Sequence, residues 1–82
     1  MENELLKNLD KLHTTELGAE RIRKNLCVNA DDTVSLCKDI IWGTKTVIER
    51  RGKNWYAQTP DCVITVNAYS YTIITAHKKA EN

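Results

Sequence analysis

The spacing of apolar residues divides the chain into a helical first half and a strand-forming second half. In the first half, apolar positions recur every three or four residues, with charged residues between them. This pattern predicts amphipathic helices over about 2–13, 15–26 and 31–42. Thr14 or Thr15 is placed to cap the second helix, Asn29 or Asp31 the third, and Gly43 to end it.

The second half changes to the two-residue period of β-strands. Short breaks at "GK", "TPD" and "AYS" leave too few residues for parallel crossovers, so neighbouring strands must run antiparallel. The predicted strands are "TKTVIERR" (44–51), "NWYAQ" (54–58), "CVITVN" (62–67) and "YTIITAH" (71–77).

These elements predict one α+β domain spanning residues 1–82. Three N-terminal helices are expected to pack on one face of a four-stranded antiparallel β-meander. Strand alternation places the apolar Cys62, Ile64 and Val66 toward the helices. The opposite face is expected to gather Tyr56, Thr65, Asn67 and one arginine. Whether His77 or Ala76 joins this face depends on strand register, which a single bulge reverses.

Composition indicates the cellular location and the kind of partner more than it indicates an activity. The net charge is +1, but residues 42–82 hold six basic and three acidic residues, an excess that favours an anionic partner. The odd count of three cysteines indicates free thiols, and no spacing suits a metal or cofactor site. The acidic N-terminus and the lack of a long apolar run predict a cytoplasmic protein with no membrane segment.

The stretch "ERRGKNWY" carries the first group of candidate binding residues. Arg50, Arg51 and Lys53 offer cationic donors for phosphate, and Tyr56 offers a ring for stacking on a base. The plainer interpretation is a charged, soluble hairpin turn with Trp55 in the core.

The stretch "NAYSYTIITAHKK" carries the candidate for proton transfer. His77 near Thr75, Tyr71 or Tyr56 suits a general base or acid in RNA cleavage without a metal ion. The alternative is a solvated histidine at the end of a strand. His13, at a junction between helices, is expected to bond the backbone. Sequence motifs for P-loop hydrolases, zinc peptidases and serine hydrolases are missing.

Three stretches together resemble a family of small bacterial proteins known only as a domain of unknown function. They are "LHTTELGAERIRKNL", "IERRGKNWY" and "ITVNAYSYTIITAHK". The resemblance implies a bacterial cytosolic protein and brings no activity or catalytic residues. At the level of element order, the chain also resembles the metal-independent ribonuclease toxins of the barnase–colicin–RelE type.

Two functions follow as hypotheses. The first is an RNA-interacting domain, in its enzymatic version a toxin-like endoribonuclease that needs no metal, with His77 moving the proton. The second is a non-catalytic protein-interaction module or inhibitor that docks through its sheet face or hairpin tips. Arg50, Arg51, Lys53, Tyr56 and Tyr71 are the candidate contact residues in either case.

Overall fold

The elements follow the predicted order, with helices first and strands second. A computed structural model of the chain describes residues 4–27, 32–43 and 45–79. The helices are α1 (Glu4–Lys7), α2 (Glu16–Leu26) and α3 (Thr33–Trp42), with a 3₁₀ turn at Leu9–Lys11. The strands are β1 (Val47–Arg51), β2 (Asn54–Gln58), β3 (Cys62–Asn67) and β4 (Ile73–Lys78). The α+β class is confirmed, although only α2 and α3 are long helices.

The first predicted helix is interrupted at Asn8. Its side-chain Nδ2 donates a hydrogen bond of 2.8 Å to the Glu4 carbonyl, and the backbone then continues as the 3₁₀ turn. Short amide side chains compete in this way with the helical hydrogen-bond ladder. The apolar residues of this segment still face the core despite the interruption, because Leu5 and Leu12 are both buried.

The two long helices begin at side-chain caps. The Thr15 hydroxyl accepts from the Gly18 amide at 3.0 Å, and the Asp32 carboxylate accepts from the Ser35 amide at 3.0 Å. The bonds from the Ser35 backbone and side chain lower the pKa of Asp32. The predicted alternatives Asn29 and Asp31 lie outside the described residues. Among the helices that the structure describes, none is long and apolar enough to cross a membrane.

The sheet has the predicted antiparallel order β1-β2-β3-β4. One connection was not predicted, a parallel bridge between His13 and Thr72. The His13 amide donates to the Tyr71 carbonyl at 3.2 Å, and the Ile73 amide donates to the His13 carbonyl at 2.8 Å. The segment before α2 is therefore attached to the start of β4.

A bulge in β4 decides which face His77 occupies. Thr65 pairs with Thr75, whereas Val66 pairs with Ile73, so Ile74 is the extra residue. The bulge keeps Ile73 and Ala76 on one face and puts Thr75 and His77 on the other. The second face, called the polar face below, contains Glu49, Arg51, Asn54, Tyr56, Gln58, Thr65, Asn67, Thr75 and His77.

The opposite face, called the apolar face, supplies the β-sheet part of the core. Its buried residues are Trp55, Ala57, Cys62, Ile64, Val66, Ile73 and Ala76. They form one hydrophobic cluster with buried helical residues that include Leu5, Ile22, Leu26, Cys37 and Ile41. Cys62, Ile64 and Val66 thus share one buried face, as predicted, and Cys37 is buried in the same cluster.

Candidate functional site

The β1–β2 turn and the β3–β4 connection meet at one end of the sheet. Gly52 adopts a φ of 57°, the left-handed conformation that a tight turn favours and glycine accepts readily. Arg50 Nε donates to the Gly52 carbonyl at 2.9 Å. The Ala68 amide donates to the Lys53 carbonyl at 2.7 Å, which joins the two loops.

The β3–β4 connection is organised around the side chain of Asn67. Its Oδ1 accepts from the amides of Tyr69 and Ser70, each at 2.9 Å, and from the Ser70 hydroxyl at 3.2 Å. Tyr71 then takes a positive φ of 60° while its amide donates to the Asn67 carbonyl at 2.9 Å. This bonding fixes the direction in which the two tyrosines leave the loop.

Aromatic and cationic side chains from these loops form a continuous cluster. The Arg50 guanidinium lies 5.5 Å from the Trp55 ring centroid and 5.7 Å from that of Tyr69. Trp55 contacts Tyr71 at 5.3 Å between centroids, and Lys11 Nζ lies 5.5 Å from the Tyr71 ring. These separations suit cation–π attraction and tilted ring packing. We call this cluster, with Lys53 beside it, the aromatic end.

Exposure distinguishes the rings of the aromatic end. Trp55 is buried and Tyr71 half-buried, so both contribute to packing. Tyr69 is 72% exposed although its backbone is fixed by Asn67. The aromatic end therefore presents one accessible ring with an arginine against it.

Arg51 and Tyr56 form a separate group on the polar face. Arg51 Nε donates to Glu49 Oε1 at 2.8 Å, and its guanidinium lies 5.9 Å from the Tyr56 ring centroid. The hydrogen bond and charge of Glu49 raise the pKa of Arg51. Because the pair is exposed, it is screened by solvent, and Arg51 is already neutralised by a carboxylate.

His77 lies on the polar face but toward the other end of the sheet, where it pairs with Val63. Arg50 pairs with Trp55 and therefore points to the opposite face. Strand spacing and rise put the Cα atoms of Arg50 and His77 about 18 Å apart. The structure does not bring Arg50, Tyr56 and His77 together, because Arg50 lies on the apolar face while Tyr56 and His77 lie on the polar face, and because Arg50 and His77 are on opposite edge strands.

The end of the sheet near His77, called the cleft end, has a different character. A cleft of about 560 Å³ lies between the end of α3 and the β2–β3 turn. Its lining mixes acidic, basic and apolar residues, among them Asp39, Ile40, Lys45, Pro60, Asp61 and Cys62. In the described ranges, no three His, Cys, Asp or Glu side chains are placed to hold a metal ion.

His13 makes one more contact than the sequence predicts. The expected backbone bond is present, between Nδ1 and the Lys11 carbonyl at 3.0 Å. The Nε2 atom also lies 3.0 Å from the Thr72 hydroxyl, 59 residues away in the chain. No local sequence signal predicts this contact, because it depends on the parallel bridge to β4.

Comparison with known proteins adds a family but no function. Residues 6–77 match the model of a family described as "Protein of unknown function (DUF3781)". The chain belongs to the DUF3781 family. Neither curated proteins nor solved structures gave a match to this DUF3781 chain. The resemblance to ribonuclease toxins therefore rests on the order of elements alone.

Proposed function

We propose that this DUF3781 protein binds single-stranded RNA at the aromatic end. The observation that carries the proposal is the exposed ring of Tyr69 with the Arg50 guanidinium 5.7 Å from its centroid. Proteins that bind single strands combine aromatic platforms for bases with cations that follow the phosphates. In this proposal the three helices cover the apolar face, which leaves the aromatic end and polar face open to ligand.

The charge distribution at the aromatic end suits an anionic backbone. Lys11, Arg50 and Lys53 place three cations around the two loops, and all three are exposed. Glu49, the acidic residue of β1, is paired with Arg51 on the polar face. The cations of the aromatic end are therefore available to contact phosphates.

The accessible ring favours a single strand over a duplex. A base stacks on an aromatic side chain only when it is not already stacked within a helix. The fixed backbone of residues 67–72 also favours binding, since a loop that is already ordered loses little backbone freedom when ligand binds. The rival function is docking onto a partner protein, and the experiment must distinguish RNA binding from it.

The test is a salt titration of a fluorescein-labelled uridine decamer, followed by anisotropy. Three phosphate contacts predict that affinity falls roughly twentyfold between 50 and 200 mM salt. Tyr69→Ala should weaken binding by about 1–3 kcal/mol through lost stacking, while Tyr69→Phe retains it. Arg50→Ala and Lys53→Ala should each weaken binding and reduce the salt dependence.

The matched control is Lys45→Ala, which removes one exposed cation at the cleft end. It should leave RNA affinity nearly unchanged. No binding of the wild-type protein at low salt would refute the RNA function and favour the protein-docking rival. Binding that survives Tyr69→Ala and Arg50→Ala would show that the RNA lies elsewhere on the molecule.

A further inference from the structure

His13 is an oriented side chain at the aromatic end that RNA binding alone does not need. Its backbone is held on both sides, through the Tyr71 carbonyl and the Ile73 amide. Both ring nitrogens also have partners at 3.0 Å, Nδ1 on the Lys11 carbonyl and Nε2 on the Thr72 hydroxyl. The imidazole is therefore fixed in position and rotation although it is exposed.

The partner of Nδ1 determines the tautomer of the neutral ring. A carbonyl oxygen only accepts hydrogen bonds, so Nδ1 carries the proton. Nε2 is then left with its lone pair and accepts from the Thr72 hydroxyl. An imidazole with one nitrogen held by a carbonyl and a lone pair on the other can act as a general base once a substrate hydroxyl takes the place of the Thr72 hydroxyl at that lone pair.

A second hydroxyl extends this arrangement toward solvent. The exposed Ser70 hydroxyl lies 2.8 Å from Thr72 Oγ1 and donates to it, sharing its one proton with Asn67 Oδ1 at 3.2 Å. Thr72 is left to donate to His13. Ser70 and Thr72 thus hold the basic nitrogen of His13 beside the loop that presents Tyr69. Ser70 and Thr72 stand in the connection that carries Tyr69, so a nucleotide stacked on that ring would lie on the same side of the molecule as His13.

We infer that His13 is the general base of a metal-independent RNA cleavage at the aromatic end, an activity that rests on the proposed RNA binding. Nε2 takes the proton of a ribose 2′-hydroxyl, which exchanges places with the Thr72 hydroxyl as hydrogen-bond donor. The 2′-oxygen forms a bond to the adjacent phosphorus, and the bond from phosphorus to the 5′-oxygen breaks. The departing 5′-oxygen takes a proton from water, and His13 returns its proton to solvent.

The cations of the aromatic end, Lys11, Arg50 and Lys53, are suited to stabilise the negative charge that this step creates. Negative charge increases on the phosphoryl oxygens as the 2′-oxygen attacks, and fixed cations stabilise it. Lys11 orients His13 through its carbonyl, and its ammonium group lies over the Tyr71 ring. In the part of the chain that the structure describes, the His77 side chain has no such hydrogen bonds, so His13 replaces it as the candidate base.

The experiment incubates the full chain with a 5′-labelled uridine decamer in buffer with chelator. The expected products end in a 2′,3′-cyclic phosphate and begin with a 5′-hydroxyl. His13→Gln should reduce the cleavage rate by at least about a hundredfold, the size of a general-base contribution. Its affinity for the same RNA should stay within about twofold, because Tyr69 and Arg50 are unchanged.

Three controls accompany this variant. His77→Ala should cleave at the wild-type rate. Thr72→Val should slow cleavage and Thr72→Ser restore it, as expected of a hydroxyl that positions His13. A decamer with 2′-deoxyribose throughout should bind but stay intact, because it lacks the attacking oxygen.

The outcomes separate the two proposals. Wild-type protein that binds the decamer without cutting it overturns the cleavage inference and leaves RNA binding standing. Cleavage at the wild-type rate by folded His13→Gln also overturns it, since the base is then another group. No binding at low salt overturns the binding function itself.

Discussion

The two ends of the sheet are built in similar ways but present different chemistry. Each has a loop organised by one polar side chain, Asn67 at the aromatic end and Thr59 at the cleft end. Thr59 Oγ1 accepts from the amides of Asp61 and Cys62 at 3.1 and 2.9 Å, much as Asn67 Oδ1 accepts from Tyr69 and Ser70. A well-bonded loop is therefore a feature of both ends and does not by itself indicate a site.

The difference lies in what the loops expose. The aromatic end brings an exposed ring, three cations and an oriented imidazole together. The cleft end gathers charges of both signs around a shallow cleft, and His77 stands apart from them on the polar face. Candidate residues therefore have to be judged together with their neighbours, which is why we propose His13 in place of His77 as the base.

The largest expected effect is a difference between the two ends in how much a substitution lowers the free energy of unfolding. Trp55 is buried and contacts both Arg50 and Tyr71, so Trp55→Ala should lower the free energy of unfolding by about 3–5 kcal/mol. His77→Ala, at an exposed position of the cleft end, should change it by less than about 0.5 kcal/mol. Urea denaturation measures both. Equal losses would mean that the aromatic end does not anchor the sheet.

A smaller effect compares the two loop-organising side chains. Asn67→Ala and Thr59→Ala each remove hydrogen bonds to two loop amides, and each should destabilise the fold by about 1–3 kcal/mol. Only Asn67→Ala should also weaken RNA binding, because it releases Tyr69. Anisotropy with the uridine decamer, on folded protein, checks the second part. A matching loss of affinity in Thr59→Ala would remove the distinction between the ends.

The smallest expected effect is a loss of folding stability at high pH, caused by the buried Cys37 thiol in the core below the cleft end. Burial, with a further contribution from Cys62, raises the pKa of the Cys37 thiol from its usual 9.0 to about 12. Between these values the unfolded chain binds fewer protons than the folded one, so stability should fall as pH rises above 9. At pH 10, one unit above the usual value, the contribution is at most about 1.4 kcal/mol.

Difference measurements isolate that contribution from other titrating groups. Cys37→Ala should show a shallower fall in unfolding free energy above pH 9 than the wild-type protein. Cys27→Ala, at an exposed position, should keep the wild-type slope. Identical slopes in Cys37→Ala and the wild type would contradict the burial of that thiol.

The fold was largely readable from the sequence because each element carries a local signal. Alternation located β2 and β3, and Thr15 marked the start of α2. The first helix was overestimated because the bond from Asn8 to the Glu4 carbonyl competes with a regular apolar pattern. The register of β4 was not predictable, since the extra residue Ile74 leaves no mark in the alternation.

The candidate site was less predictable because its contacts cross the chain. The sequence identified Arg50, Lys53 and Tyr71 as contact residues, and the structure places them at one end. It placed Tyr69 in the break "AYS" and did not count it among the candidate contact residues, because the hold of the Asn67 side chain on that loop is visible only in the structure. It assigned proton transfer to His77 and not to the proposed His13, because the bridge between His13 and Thr72 joins residues 59 positions apart.

Binding of ligand at the aromatic end can be tested by an NMR titration of ¹⁵N-labelled protein with the uridine decamer at low salt. We expect amide shift changes concentrated in residues 50–55 and 67–72, with His13 among the affected residues. Shift changes concentrated in residues 59–62 and 77–79, or none at all, would contradict it.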